Sequence, residues 1–167
     1  MVFYPAASVL ASGNRIMAKP SEFTPQTAQL IKDAVAKYFD ESEFAVVLGG
    51  PEVGAEFTKL PFDHLLYTGS GRVAKKVLAN TAENLVPTTL ELGGKSPTII
   101  GKDADMELAA KRIMFVKTMN AGQICLSPDY IFLPRGKEEA FLTAASKAFD
   151  EFYPDDNKSE YTSMVNE

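Results

Sequence analysis

Phe44-Ala45-Val46-Val47-Leu48-Gly49-Gly50-Pro51 is an unbroken apolar run closed by a glycine pair and a proline. Five apolar residues without polar alternation read as a strand buried on both faces, as parallel strands are. Gly49-Gly50 turns the chain, and Pro51 opens a short helix to Phe57. Upstream, Thr24-Pro25 reads as an N-cap with proline at the first helical position. That helix runs to about Phe39, with Ala28, Ile31, Val35 and Tyr38 on one face. Arg15–Lys19 is a short strand before it, and Pro5–Ser12 a first helix ended by Gly13. Downstream, Asp63–Tyr67 is a strand, Val73–Ala82 a helix and Thr88–Leu92 a strand. Strand and helix therefore alternate three times in about ninety residues, the pattern of a parallel sheet with crossover helices. The expected fold is α/β: a Rossmann-like parallel sheet joined to the first part of a second α/β lobe. In such sheets ligands sit beyond the carboxyl ends of the strands, where Lys19, Gly49, Gly69 and Glu91 fall.

Beyond Gly93-Gly94, the expected lobe boundary, the pattern continues. Pro97–Ile100 is a strand, Asp105 caps a helix to about Met119, Asp129–Leu133 is a strand, and Lys137–Phe152 is an amphipathic helix. The stretch from Pro154 to Glu167 is polar.

Composition narrows the function. The 167 residues carry a net charge of -5 and are 46% hydrophobic. No basic stripe is available to neutralise phosphates, so nucleic-acid binding is not expected. No apolar run approaches the roughly 18 residues of a membrane span. Met1–Leu10 lacks the basic start of a signal peptide. One cysteine excludes an internal disulfide and fits a reducing, cytoplasmic setting. One histidine, His64, far from that cysteine in sequence, gives no metal cluster, and His64 is assigned no role.

Four motifs carry chemistry, each with a plain alternative. Lys19 and Glu22 at a strand end could hold ribose hydroxyls, or form a solvated pair at a turn. Thr68-Gly69-Ser70 could present helix N–H groups to a pyrophosphate, or be a βα loop with Ser70 as cap. Gly93-Gly94-Lys95-Ser96 looks like the end of a P-loop, but Thr89 stands where the first glycine is required. Cys125 could be a nucleophile or a small buried hydrophobe.

Taken together, these motifs fall in a known order. Leu90-Glu91-Leu92-Gly93-Gly94-Lys95-Ser96-Pro97 resembles the glutamate signature of the aldehyde dehydrogenase superfamily. Asn120-Ala121-Gly122-Gln123-Ile124-Cys125 followed by Pro128-Asp129-Tyr130 resembles its cysteine signature. Gly13-Asn14-Arg15, Lys19-Pro20-Ser21-Glu22, Pro61-Phe62-Asp63 and Tyr67-Thr68-Gly69-Ser70 match in the same order. Ser127-Pro128-Asp129-Tyr130 is most similar to the branch holding class 3, fatty-aldehyde and coniferyl-aldehyde dehydrogenases.

The resemblance implies an oxidoreductase that turns an aldehyde into a carboxylic acid with NAD, NADP being possible. Cys125 would be the nucleophile and Glu91 the base that activates water. Lys19 and Glu22 would hold the adenosine ribose, Gly69 and Ser70 the pyrophosphate, and Leu92 would join the cofactor contacts. Glu22 near a ribose 2′-hydroxyl favours NAD, since a 2′-phosphate would meet a like charge. Residues 1–92 would be part of the cofactor domain and 93–167 the first part of the catalytic domain of a homo-oligomeric parent. The sixth position of the Gly-Ser loop is Ala74, where the family has glycine. The family's oxyanion asparagine would lie before Met1, and its second-ribose and tunnel residues after Glu167. The chain is thus expected to be a central fragment, at best weakly active alone. Two alternatives stand beside this: an acylating enzyme that passes the thioester to coenzyme A, and a non-catalytic remnant that binds a nucleotide or partner.

Overall fold

The computed structural model describes residues 2–154 and 160–165. They form two compact units, each described on its own: residues 2–68 with 72–91, and residues 69–71 with 92–165.

The first unit begins with α1 (Phe3–Ala11), β1 (Ile16–Ala18), α2 (Pro25–Tyr38) and β2 (Phe44–Val46). α1 stops where Gly13 takes a positive φ of 76°, a conformation glycine adopts without a Cβ penalty. β1 and β2 pair in parallel, Ile16 opposite Phe44 and Ala18 opposite Val46. Ala6, Val35 and Phe44 form the buried cluster between helices and strands, with Ile31, Ile16 and Val46 against it. The helical period in α2 delivers Ile31 and Val35 to this core. Tyr38, expected on the same face, is exposed.

α3 (Pro51–Phe57), β3 (Leu65–Gly69), α4 (Gly71–Thr81) and β4 (Thr88–Leu92) complete the unit's elements. β3 pairs with β4 around a second cluster of Leu65, Val77 and Val86. The Asn80 amide donates to Ala55 O and Thr58 Oγ1, and Asn84 donates to Lys59 O. α4 and its C-terminal loop thereby hold the end of α3.

The second unit holds β5 (Ser96–Ile99), α5 (Met106–Thr118), β6 (Pro128–Phe132) and α6 (Glu138–Phe152). β5 and β6 are parallel. Ile100, Ala110, Ile113, Phe141 and Ala145 form its core. Ala110, Ala145 and Ala148 are all buried. Alanines on facing helices let α5 and α6 approach closely, and Ile113 and Phe141 fill the remaining space.

The parallel pairing expected from the sequence is present as short pairs. Among the described residues the strands join two by two. The strand expected over Phe44–Leu48 is shorter, because its ladder with β1 ends at Ala18–Val46. The two helix starts read from the sequence differ in kind. Asp105 caps α5 through its carboxylate, which accepts from Leu108 N at 3.1 Å. Thr24 makes no side-chain cap bond, and Pro25 alone shapes the start of α2.

Asp105→Ala is therefore expected to cost about 1 kcal/mol, the usual value of a lost cap. Thr24→Ala should cost only a few tenths, about what a substitution at a surface position without a cap bond costs. Urea unfolding of the two variants beside the parent checks the difference.

Candidate active site

Lys19 follows β1 directly. Its ammonium donates to Glu22 Oε2 at 3.0 Å and to Pro20 O at 3.1 Å. The lysine side chain is 12% exposed and the glutamate 33%. The lysine stem passes Gly54 of α3, where an added Cβ would lie 3.4 Å from Cε. The Glu22 carboxyl is held below its ordinary range, first by its own backbone N–H and then by the Lys19 ammonium. Among the described residues two of the lysine's three protons are engaged, leaving a donor beside a carboxylate that can accept further bonds. Vicinal hydroxyls of a ribose fit such a pair.

The loop after β2 is restricted to glycine at one position. A Cβ on Gly49 would come within 2.5 Å of the Val53 side chain. Gly69 ends β3, Ser70 stands between strand and helix, and Gly71 begins α4. Ala74, at the position where the resemblance has glycine, is buried inside α4.

Glu91 and Leu92 are the last residues of β4 and both side chains are exposed. Glu91 belongs to the first unit and Leu92 to the second.

Cys125 lies in the second unit and is exposed. Ser127 N donates to Ile124 O at 3.0 Å, so Cys125 and Leu126 are the central residues of a tight turn. The chain reaches this turn through Asn120 (φ 52°), Ala121 (φ 54°) and Gly122 (φ 74°), three successive left-handed residues. Only glycine takes this conformation freely. For the other two it costs about 1–2 kcal/mol each. Strain of this kind persists where surrounding contacts over-determine it. A Cβ on Gly122 would also press on Lys117 O at 3.1 Å.

The turn lies at the amino end of β6, not at a carboxyl end as expected for a ligand site. Its neighbour is fixed by strand register. Ser96 pairs with Pro128, so the loop before β5 runs beside the loop before β6. A Cβ on Gly94 would come within 3.2 Å of Cys125 O. The register shifts at the next step, from Ser96–Pro128 to Pro97–Tyr130. Asp129 is the extra residue, and its carboxylate accepts from Lys95 Nζ at 3.0 Å.

Three residues that support the cysteine were not singled out for it from sequence: Gly94, Gln123 and Ser127. Gly94 could have been found by asking why a second glycine follows Gly93. Ser127 is buried, and its Oγ has no partner among the described residues. No local sequence cue marks the burial of Ser127 or the distant partners of Gln123.

Two outcomes follow for these groups. A carboxyl depressed in the folded chain contributes stability above its unfolded value and loses it as pH falls through the folded value. Melting temperature should therefore fall more steeply below about pH 4.5 in the parent than in Glu22→Gln, measured by calorimetry from pH 6 downward (about three units, spanning the carboxylate range). Ser127→Ala removes a buried hydroxyl that makes no bond among the described residues, so it should be neutral or stabilising by up to about 1 kcal/mol. A loss of stability in urea titration would contradict the orphaned state of that hydroxyl.

The family model described as the aldehyde dehydrogenase family matches residues 1–167. A probable coniferyl aldehyde dehydrogenase of Caulobacter vibrioides is 54% identical over 166 residues, covering 99% of this chain and 34% of the relative. The substrate-bound AldH of Staphylococcus aureus superposes with a TM-score of 0.92 at 41% identity, over 99% of this chain and 36% of that one. A cysteine-to-alanine mutant of Pseudomonas syringae AldC, solved with NAD+ and octanal, gives 0.85 at 30% identity, over 97% and 35%. The chain thus spans about a third of the length of the relatives it matches. With both signatures, the parallel strand pairs and a match over its full length, this chain belongs to the aldehyde dehydrogenase family.

Proposed function

We propose that this chain supplies the nucleophile, the base and part of the cofactor site of an enzyme that oxidises aldehydes to carboxylic acids with NAD. Residues 1–92 then belong to the cofactor domain and 93–167 to the start of the catalytic domain. The division of the chain between Glu91 and Leu92 supports that assignment. The observation that carries the reading is the exposed Cys125 at the centre of a tight turn, inside the family's cysteine signature.

The Cys125 thiolate adds to the aldehyde carbon and gives a hemithioacetal on sulfur. Hydride leaves that carbon, and the adduct becomes a thioester. NAD, when bound, supplies the acceptor for this hydride. Glu91 takes a proton from water, hydroxide adds to the thioester carbonyl, and the acid departs as the thiolate is restored. Lys19 and Glu22 orient the adenosine ribose through their spare donor and acceptor, and Gly69-Ser70 receive the pyrophosphate at the start of α4, with Leu92 among the cofactor contacts. The Glu22 carboxylate opposes a 2′-phosphate, which favours NAD over NADP. The 54% identity to the Caulobacter relative makes coniferyl aldehyde the first substrate to try.

The test is a chimaera in which residues 1–167 replace the matching third of the Caulobacter relative, followed by NADH absorbance with coniferyl aldehyde. Turnover is expected, and Cys125→Ser should reduce it to background. Glu91→Gln should slow hydrolysis by about a hundredfold or more, the range for a lost general base. Full turnover with Cys125→Ser would sink the proposal. Formation of acyl-CoA in place of free acid would assign the chain to the acylating class.

A further inference from the structure

Gln123 lies two residues before Cys125 and is half-buried. Among the described residues its side chain makes three hydrogen bonds. Nε2 donates to Asn120 O at 2.9 Å and to Ser163 O at 3.2 Å. Oε1 accepts from Val165 N at 2.9 Å. Two carbonyls demand the amide nitrogen and one N–H demands the oxygen, so the orientation of the amide is set by its partners. The backbone joins in: Gln123 N donates to Asn120 O at 3.0 Å, and Asn120 Nδ2 donates to Gln123 O at 3.2 Å. The left-handed run is thus stapled across both of its ends. The same side chain ties it to a segment 40 and 42 residues away in sequence.

We infer that Gln123 is the positioning residue of Cys125, holding the strained loop in place by anchoring it to the Ser163–Val165 segment. The inference rests on Cys125 being the proposed nucleophile, but the contacts are independent of that role. No other side chain meets the three demands. Glutamate at neutral pH turns a carboxylate toward the carbonyls of Asn120 and Ser163. Asparagine is one methylene too short. Methionine matches the length and offers no donor. The bond to Val165 also runs through a backbone N–H, so the segment beyond α6 holds the nucleophile's loop whatever its side chains are.

Cys125 is the only cysteine, so iodoacetamide reports on it alone. The alkylation rate is measured from about pH 6 to about pH 9, the range over which free thiols gain reactivity. The chains compared are the parent, Gln123→Met, Val165→Pro (which deletes the N–H) and the double variant. Each single variant is expected to change the rate across the pH range by about threefold or more while far-UV circular dichroism stays as in the parent. The double variant should do no more than the larger single one, since both cut the same tie. A role in folding alone would show as reduced far-UV circular dichroism accompanying any change in rate. Parent-like profiles in both single variants, or fully additive effects in the double, would overturn the inference. Should Gln123→Met lose its circular dichroism, Val165→Pro decides alone. No aldehyde enters this assay, so an inactive chimaera leaves the result untouched.

Discussion

Pairing of Ser96 with Pro128 in parallel sets the loops preceding both strands side by side. Those loops carry the Gly93-Gly94 pair and the Cys125 turn. Parallel strands run their side chains and their entry loops in the same direction, so motifs about thirty residues apart meet without any long-range polar device. The approach is close enough that position 94 has no room for a Cβ without pushing on Cys125 O. The glycine is thereby explained by a neighbour, where in a phosphate loop it would be explained by a ligand. Lys95–Asp129 closes the same corner, but Lys95 is 78% exposed. An exposed pair of this kind contributes little to stability. It marks the register shift and does not create it.

What holds the cysteine is different in kind from what holds the helices. α5 and α6 are joined by apolar burial around Ala110, Ile113 and Phe141, a non-directional force that tolerates small shifts. The turn at Cys125 rests on directional bonds and on backbone shape. Asn120 and Ala121 accept an unfavourable φ, and a single amide side chain answers it with three bonds. A nucleophile needs a defined approach geometry, and hydrogen bonds of fixed direction define geometry better than a greasy contact does. Gly122 extends the point, since its φ and its approach to Lys117 O both exclude a side chain.

Much of this was legible in the sequence, for reasons that differ by element. Pro51–Phe57 and Thr88–Leu92 have their expected bounds because proline and glycine punctuate them. Asp105 acts as the cap that its position suggested. Thr24 does not, because the proline after it has already fixed the start of the helix. The Lys19–Glu22 pair forms at 3.0 Å, as residues three apart at a strand end can. Gln123 was the hard case. Its partners lie at positions 163 and 165, and no local pattern links a glutamine to backbone groups forty residues later. Gly94 was similarly hidden, since the contact that demands it depends on which strands pair and in what register.

The location of Cys125 at an amino end departs from the rule that open α/β sheets bind ligands at carboxyl ends. The rule follows from helices whose N-termini face ligands after each strand. Lys19, Gly69 and Glu91, proposed above as site residues, lie at the ends of β1, β3 and β4. Cys125 follows α5 and precedes β6 in the chain. The left-handed and hydrogen-bonded backbone of residues 120–127 fixes where the thiol stands. Strain and directed hydrogen bonds thus gather at the cysteine turn, while the loops proposed to meet the cofactor keep ordinary strand-to-helix geometry.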